Sequence, residues 1–145
     1  MVGFVSKDKE FILYYIICIL LIFIYKGYRC KHPQKKDILE KELFYEIDFW
    51  SVSHLIFFAI VAYNFPTKKY IFISFILGCI WELFEKFGGS DIVDEHQPLQ
   101  YIISCKSKLA TEKNGNGRFW YAKWTDIIVN SLGLIIGYHL HKHLK

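Results

Sequence analysis

Four apolar stretches that carry almost no charge define the pattern of this chain. They cover about 11–26, 49–66, 70–87 and 121–140, with polar sequence between most of them. Stretches of this length and apolarity are typical of membrane-spanning helices, which need about 20 apolar residues. The pattern therefore predicts an all-α integral membrane protein, a bundle of four transmembrane helices in a single domain over 1–145.

The links between these stretches differ in length and charge. Residues 26–46 are basic and lead into apolar positions at helical spacing (Leu39, Leu43 and Ile47), which predicts either an amphipathic helix on the membrane surface or a solvated connector helix. A long polar loop covers 88–120. Most lysines and arginines lie in these two links, so the positive-inside rule puts both links in the cytoplasm.

Composition supports a membrane setting. Hydrophobic residues make up 53% of the 145 residues and aromatic residues 19%, which is high for a soluble domain, and the net charge is +4. The four cysteines show no zinc-finger spacing, so we expect free thiols. We expect a membrane phospholipid as partner and no nucleic acid.

Ionisable side chains within the apolar stretches are the candidate functional groups, because membrane helices rarely carry such groups without a use. Asp48 stands at the start of the second stretch, and Ser51 and His54 follow it on a stripe about 120° wide. Glu82 and Glu85 lie near the end of the third stretch, about 60° apart on one helix face. The side chains of each group therefore share one face of their helix.

Asp126 and Asn130 occupy one face at the start of the fourth stretch. Because successive spans run antiparallel, the start of the second, the end of the third and the start of the fourth lie at the same membrane face. We therefore predict that all these polar side chains converge on one site. Gly133 and Gly137 follow on nearly the same face and allow close helix packing, either within the bundle or in a homo-oligomer.

The residue types indicate two kinds of chemistry. Glu82, Glu85 and Asp126 supply hard oxygen ligands that suit Ca²⁺, Mg²⁺ or Mn²⁺, and such an ion can hold a lipid phosphate. His54 is the natural general base, and Asp48 can orient it only if the chain bends locally. The alternative is structural: a packed histidine, glutamates that cap a helix, and a polar helix start.

The order of these motifs resembles that of the eukaryotic base-exchange phosphatidylserine synthases. The resemblance rests on Asp48-(x5)-His54, on Trp81-Glu82-Leu83-Phe84-Glu85, and on Asp126…Asn130-x2-Gly133-x3-Gly137. It implies a multi-span enzyme of an endoplasmic-reticulum-type membrane that replaces choline or ethanolamine on a phospholipid with L-serine. Such an exchange uses calcium and no nucleotide.

The same resemblance implies roles for individual residues. His54 would activate the serine hydroxyl, and Glu82, Glu85 and Asp126 would form the calcium or phosphate site. Asn130 would line the site. Ser51 and Arg118 are the remaining candidates for substrate binding.

A second resemblance is to small VanZ-like membrane proteins. They share a helix with a histidine, a helix that ends in glutamate, and a helix with the pattern Asp-x3-Asn-x2-Gly-x3-Gly, which matches Asp126 to Gly137. This resemblance leaves open a membrane protein without catalytic activity, in which the polar cluster is a structural network.

Overall fold

The fold consists of four helices and a short hairpin in a computed structural model that describes residues 6–31, 39, 41–45, 47–88 and 122–145. The elements in chain order are α1 (Lys7–Lys31), β1 (Glu42–Phe44), β2 (Ile47–Asp48), α2 (Phe49–Asn64), α3 (Lys68–Gly88) and α4 (Trp124–Leu144). The predicted all-α class is confirmed for this framework. Each helix coincides with one predicted apolar stretch and differs from it only at the ends.

The hairpin replaces part of the helix predicted in the first link, on the membrane surface or as a solvated connector, so that prediction is wrong for 42–45 and 47–48. β1 and β2 pair antiparallel, with Glu42 opposite Asp48 and Phe44 opposite Ile47. Tyr45 makes the turn with a φ of 30°. Asp48, the last residue of β2, has the extended backbone of an N-cap and begins α2 directly after the hairpin. Residues 32–38 lie outside the described part of the chain.

α1 extends beyond its uncharged centre at both ends. Lys7 and Glu10 form an ion pair of 2.8 Å in its first turn, and the Asp8 carboxylate accepts hydrogen bonds from Lys69 and Tyr70 at the start of α3. Among the described helices, only α1 is both long and apolar enough to cross a bilayer, over Lys7–Arg29. α2 is also apolar but shorter.

Aromatic side chains hold α1 against the junction of α2 and α3. The ring of Phe11 stacks on Tyr70 with centroids 4.8 Å apart and meets Phe65 edge-on at 5.3 Å. Tyr14 stacks on Phe57 of α2 at 5.6 Å. Ring pairs of this geometry stabilise a contact beyond the area that they bury. These ring contacts hold the start of α1 against the end of α2 and the start of α3, at the end of the bundle opposite Asp48.

α2 and α4 approach so closely that their contact requires glycine. A Cβ at Gly133 would lie 2.5 Å from the carbonyl oxygen of Leu55, and one at Gly137 would lie 2.0 Å from that of Ala59. The glycine face predicted from the sequence therefore packs within the bundle. This contact brings the polar starts of α2 and α4 together.

Candidate functional site

The polar site begins at the N-terminus of α2, where Asp48 is fully buried. Its Oδ1 accepts a hydrogen bond from the backbone N–H of Ser51 at 3.0 Å, as an N-cap does. Its Oδ2 lies 2.6 Å from Nζ of Lys123, just before α4. The ion pair offsets the cost of burying the Asp48 charge, and it holds the start of α4 against the start of α2.

Ser51 connects this cap to Asp126 of α4. The Ser51 hydroxyl donates to Oδ1 of Asp126 at 2.6 Å and has a longer contact of 3.3 Å with Oδ1 of Asp48. Both Ser51 and Asp126 are buried. Because a hydroxyl has a single proton to donate, the shorter contact is the principal hydrogen bond. Ser51 therefore fixes the orientation of the Asp126 carboxylate.

His54 faces Asn130 of α4. Nδ1 of the ring lies 3.1 Å from Oδ1 of the Asn130 side chain. A carbonyl oxygen can only accept, so in the neutral imidazole this contact keeps the proton on Nδ1 and leaves the lone pair on Nε2. Asn130 is thus the orienting group on His54. Asp48, which was predicted to take that role, contacts Ser51 and Lys123 instead.

Glu82 brings α3 to the same site, and the residue is 4% exposed. Oε2 accepts a hydrogen bond from the backbone N–H of Lys123 at 3.2 Å, and Oε1 lies 3.9 Å from Nδ1 of His54. Within the described part of the chain, Oε1 has no hydrogen-bond partner. A buried carboxylate oxygen without a partner is costly, so Oε1 marks a point where a ligand would be stabilised.

His54, Glu82 and Asp126 together form a compact group of ligand atoms, which all lie within 4.8 Å of one another. The three residues come from α2, α3 and α4, so each helix contributes one donor. Two carboxylates and an imidazole can bind a divalent cation. The free Oε1 of Glu82 fits this interpretation, since a cation would satisfy it.

Of the three predicted metal ligands, Glu82 and Asp126 belong to that group and Glu85 does not. Glu85 lies half-buried one turn beyond Glu82, and its Oε1 accepts a hydrogen bond from Nε1 of Trp81 at 2.8 Å. Arg118 lies outside the described residues, as does the loop predicted over 88–120 from residue 89 onward.

Gly78 allows α3 to approach the other two helices at the level of Asn130. A Cβ at this position would lie 3.0 Å from Cζ of Phe58 and 3.2 Å from Nδ2 of Asn130. Nδ2 of Asn130 is buried and has no hydrogen-bond partner among residues 47–88 and 122–145. The site therefore presents both an unsatisfied acceptor on Glu82 and an unsatisfied donor on Asn130, as a polar substrate would require.

Lys123 is the site residue that the sequence analysis missed. Its ammonium pairs with Asp48, and its backbone N–H binds Glu82, so it joins all three helices. The available signal is its position, because it is the only lysine or arginine within the fourth apolar stretch, 121–140. Antiparallel threading puts that point beside the start of α2.

The chain matches no protein-family model, no curated protein and no solved structure. The chemistry of the site is accordingly inferred from its own residues.

Proposed function

We propose that this protein is a four-span integral membrane enzyme that exchanges the headgroup of a phospholipid. The first support is the distribution of polar and apolar side chains. Large apolar side chains are exposed on all four helices, among them Leu21, Ile56, Phe72 and Ile135. Exposed apolar surface on every helix is unusual for a water-soluble monomer and suits a bilayer as solvent.

The interior has the opposite character. Its buried polar side chains include Asp48, Ser51, Glu82, Asp126 and Asn130. A polar interior inside an apolar exterior is what a membrane bundle with an internal site requires.

The cluster of His54, Glu82 and Asp126 is the observation that carries the proposed activity. Its donors lie within 4.8 Å of one another and near the ends of their helices. In a four-span bundle, the end of the bundle that contains these three residues lies at the depth of the lipid headgroups. A general base and carboxylates at this depth can act on a phosphodiester, which is the shared chemistry of headgroup exchange.

In the reaction that the resemblance to base-exchange phosphatidylserine synthases implies, L-serine attacks the phosphorus of phosphatidylcholine or phosphatidylethanolamine. His54 accepts the serine hydroxyl proton on Nε2, since Asn130 holds the Nδ1 proton. The new P–O bond to serine forms as the bond to choline or ethanolamine breaks, and His54 returns the proton to the departing alkoxide. One phosphodiester replaces another, so no nucleotide is consumed. An endoplasmic-reticulum-type membrane would supply these lipids.

The donor set also fits a divalent cation. With His54 acting as the base, Glu82 and Asp126 are the residues that would hold Ca²⁺, with Glu85 close by, and their hard oxygens also suit Mg²⁺ or Mn²⁺. A bound ion would offset negative charge on the phosphate. Within the protein, Ser51 orients Asp126 and the Lys123 backbone orients Glu82, so both carboxylates are held for that task.

A structural role, as in the VanZ-like alternative, is favoured by one specific observation. Asp48, Ser51, Asp126 and Lys123 already satisfy one another through contacts of 2.6–3.3 Å. A network of this kind can join α2 to α4 without catalysing anything. In that case no substrate would be needed to explain most of the buried polar groups.

Two variants of the site separate the alternatives. Glu82→Gln removes one charge and keeps the side-chain shape, and His54→Gln removes the base and leaves a polar side chain of similar length. If the site is catalytic, incorporation of labelled serine into phosphatidylserine falls at least about 100-fold in His54→Gln, because general acid–base catalysis contributes that much. It also falls in Glu82→Gln, because that variant loses a carboxylate that would hold the cation. Their melting temperatures in detergent stay close to that of the unmodified protein. His143→Gln, an exposed histidine on α4, is the matched control and retains activity.

The contrary results are equally specific. Full serine incorporation in His54→Gln would eliminate His54 as the base. Loss of folded protein in both site variants, with no activity in the unmodified chain, would favour the structural network.

A further inference from the structure

An apolar groove of about 470 Å³ runs between α3 and α4, away from the polar site. Its walls include Ile71 and Phe75 of α3 and Leu134 of α4. Ser131 lines its inner end, but the Ser131 hydroxyl donates to the carbonyl of Ile127, which leaves that end without a free hydroxyl proton. The groove is therefore shaped for a hydrocarbon chain rather than for a polar ligand.

The polar groups of the groove all lie at its other end. Lys68 begins α3, and Tyr138 and His139 lie in the second half of α4, so the three meet at the face opposite Glu82 and Asp126. Lys68 has no ion-pair partner among the described residues, whereas its neighbour Lys69 pairs with Asp8. A cation at the mouth of an apolar groove complements an amphiphile with an anionic head.

From this order of groups we infer that the groove binds an anionic phospholipid. Its phosphate lies at Lys68 and one acyl chain lies along Ile71, Phe75 and Leu134. The rise from Lys68 to Phe75 is about 10 Å, which fits within one leaflet of a hydrocarbon core about 30 Å thick. The lipid at this site belongs to the leaflet opposite the polar cluster, so it is not the substrate of the proposed exchange.

This inference depends on the membrane embedding proposed above but not on the headgroup reaction. Lys68→Gln is expected to leave serine incorporation unchanged, because Lys68 lies at the other end of α3 from Glu82. The two proposals can therefore fail independently. Lys142 is the matched control, since it is an exposed lysine on α4 that does not line the groove.

The test is native mass spectrometry of the full chain in detergent with dioleoylphosphatidylglycerol or dioleoylphosphatidylcholine. The unmodified protein is expected to retain phosphatidylglycerol more tightly. Lys68→Gln is expected to weaken that retention about five-fold, since one basic residue near a membrane surface contributes about 1 kcal/mol. Lys142→Gln keeps the preference, and Ser131→Leu, which fills the inner end, reduces retention of both lipids.

Two results would overturn the inference. One is equal retention of the two lipids by the unmodified protein, and the other is an equal loss in Lys68→Gln and Lys142→Gln. If Ser131→Leu does not fold, dihexanoylphosphatidylglycerol replaces it as the test of the groove. A short-chain lipid that binds as tightly as the dioleoyl lipid would exclude a role for the apolar walls.

Discussion

The contact between α2 and α4 makes Gly137→Ala the most informative single change to the fold. The added Cβ would lie 2.0 Å from the carbonyl oxygen of Ala59 and 2.8 Å from its carbon. The obstacle is backbone, so no side-chain rotation can relieve it. The two helices would have to separate by about 1.5 Å to restore ordinary contact distances. Overpacking of this kind costs about 1–3 kcal/mol, and a backbone obstacle places Gly137→Ala at about 3 kcal/mol.

The assay is reversible unfolding in mixed micelles, with helix content followed by circular dichroism as the denaturing detergent increases. Gly27→Ala provides the control, because nothing lies within 4 Å of the Cβ that it would add in α1. It should leave the free energy of unfolding unchanged or raise it by up to about 1 kcal/mol through helix propensity. Identical unfolding of Gly137→Ala and Gly27→Ala would refute the close contact between α2 and α4.

Two further changes test the polar network. Lys123→Met leaves the buried Asp48 without its counter-charge and should lower the free energy of unfolding by about 3–5 kcal/mol. Adding Asp48→Asn, which keeps the cap, should recover most of that loss. If the double variant recovers no stability, the ion pair is contradicted. Ser51→Ala removes the 2.6 Å hydrogen bond to Asp126 and should cost about 1.5–3 kcal/mol in the same unfolding assay, whereas Ser53→Ala, which loses only a bond to the Trp50 carbonyl, should cost less.

The gathering of the polar residues at one end could be anticipated from the sequence because it depends only on helix direction. Asp48, Glu82 and Asp126 stand at ends of apolar stretches that antiparallel helices bring to one face. The structure places Asp48 and Ser51 beside Asp126, and His54 beside Asn130 and Glu82. The approximate helix bounds also follow from the apolar pattern, since apolar runs and polar links differ sharply here.

The individual pairings could not be anticipated, because they depend on how far each helix rotates about its axis. Asn130 meets His54 only because glycines at 133 and 137 allow α4 to settle on the backbone of α2. The hairpin before α2 could not be predicted from the sequence pattern either. Leu39, Leu43 and Ile47 have helical spacing, whereas the structure pairs Glu42 with Asp48 and Phe44 with Ile47, and apolar spacing alone does not reveal a pairing between strands this short.

The claim that the buried cluster performs headgroup exchange is tested most directly by one assay. Purified protein in mixed micelles of phosphatidylcholine and phosphatidylethanolamine is given labelled serine, with calcium present or chelated. The account predicts calcium-dependent label in phosphatidylserine, with free choline or ethanolamine released in equal amount. Absence of label from every lipid, with the protein folded, would contradict the account and favour the structural network.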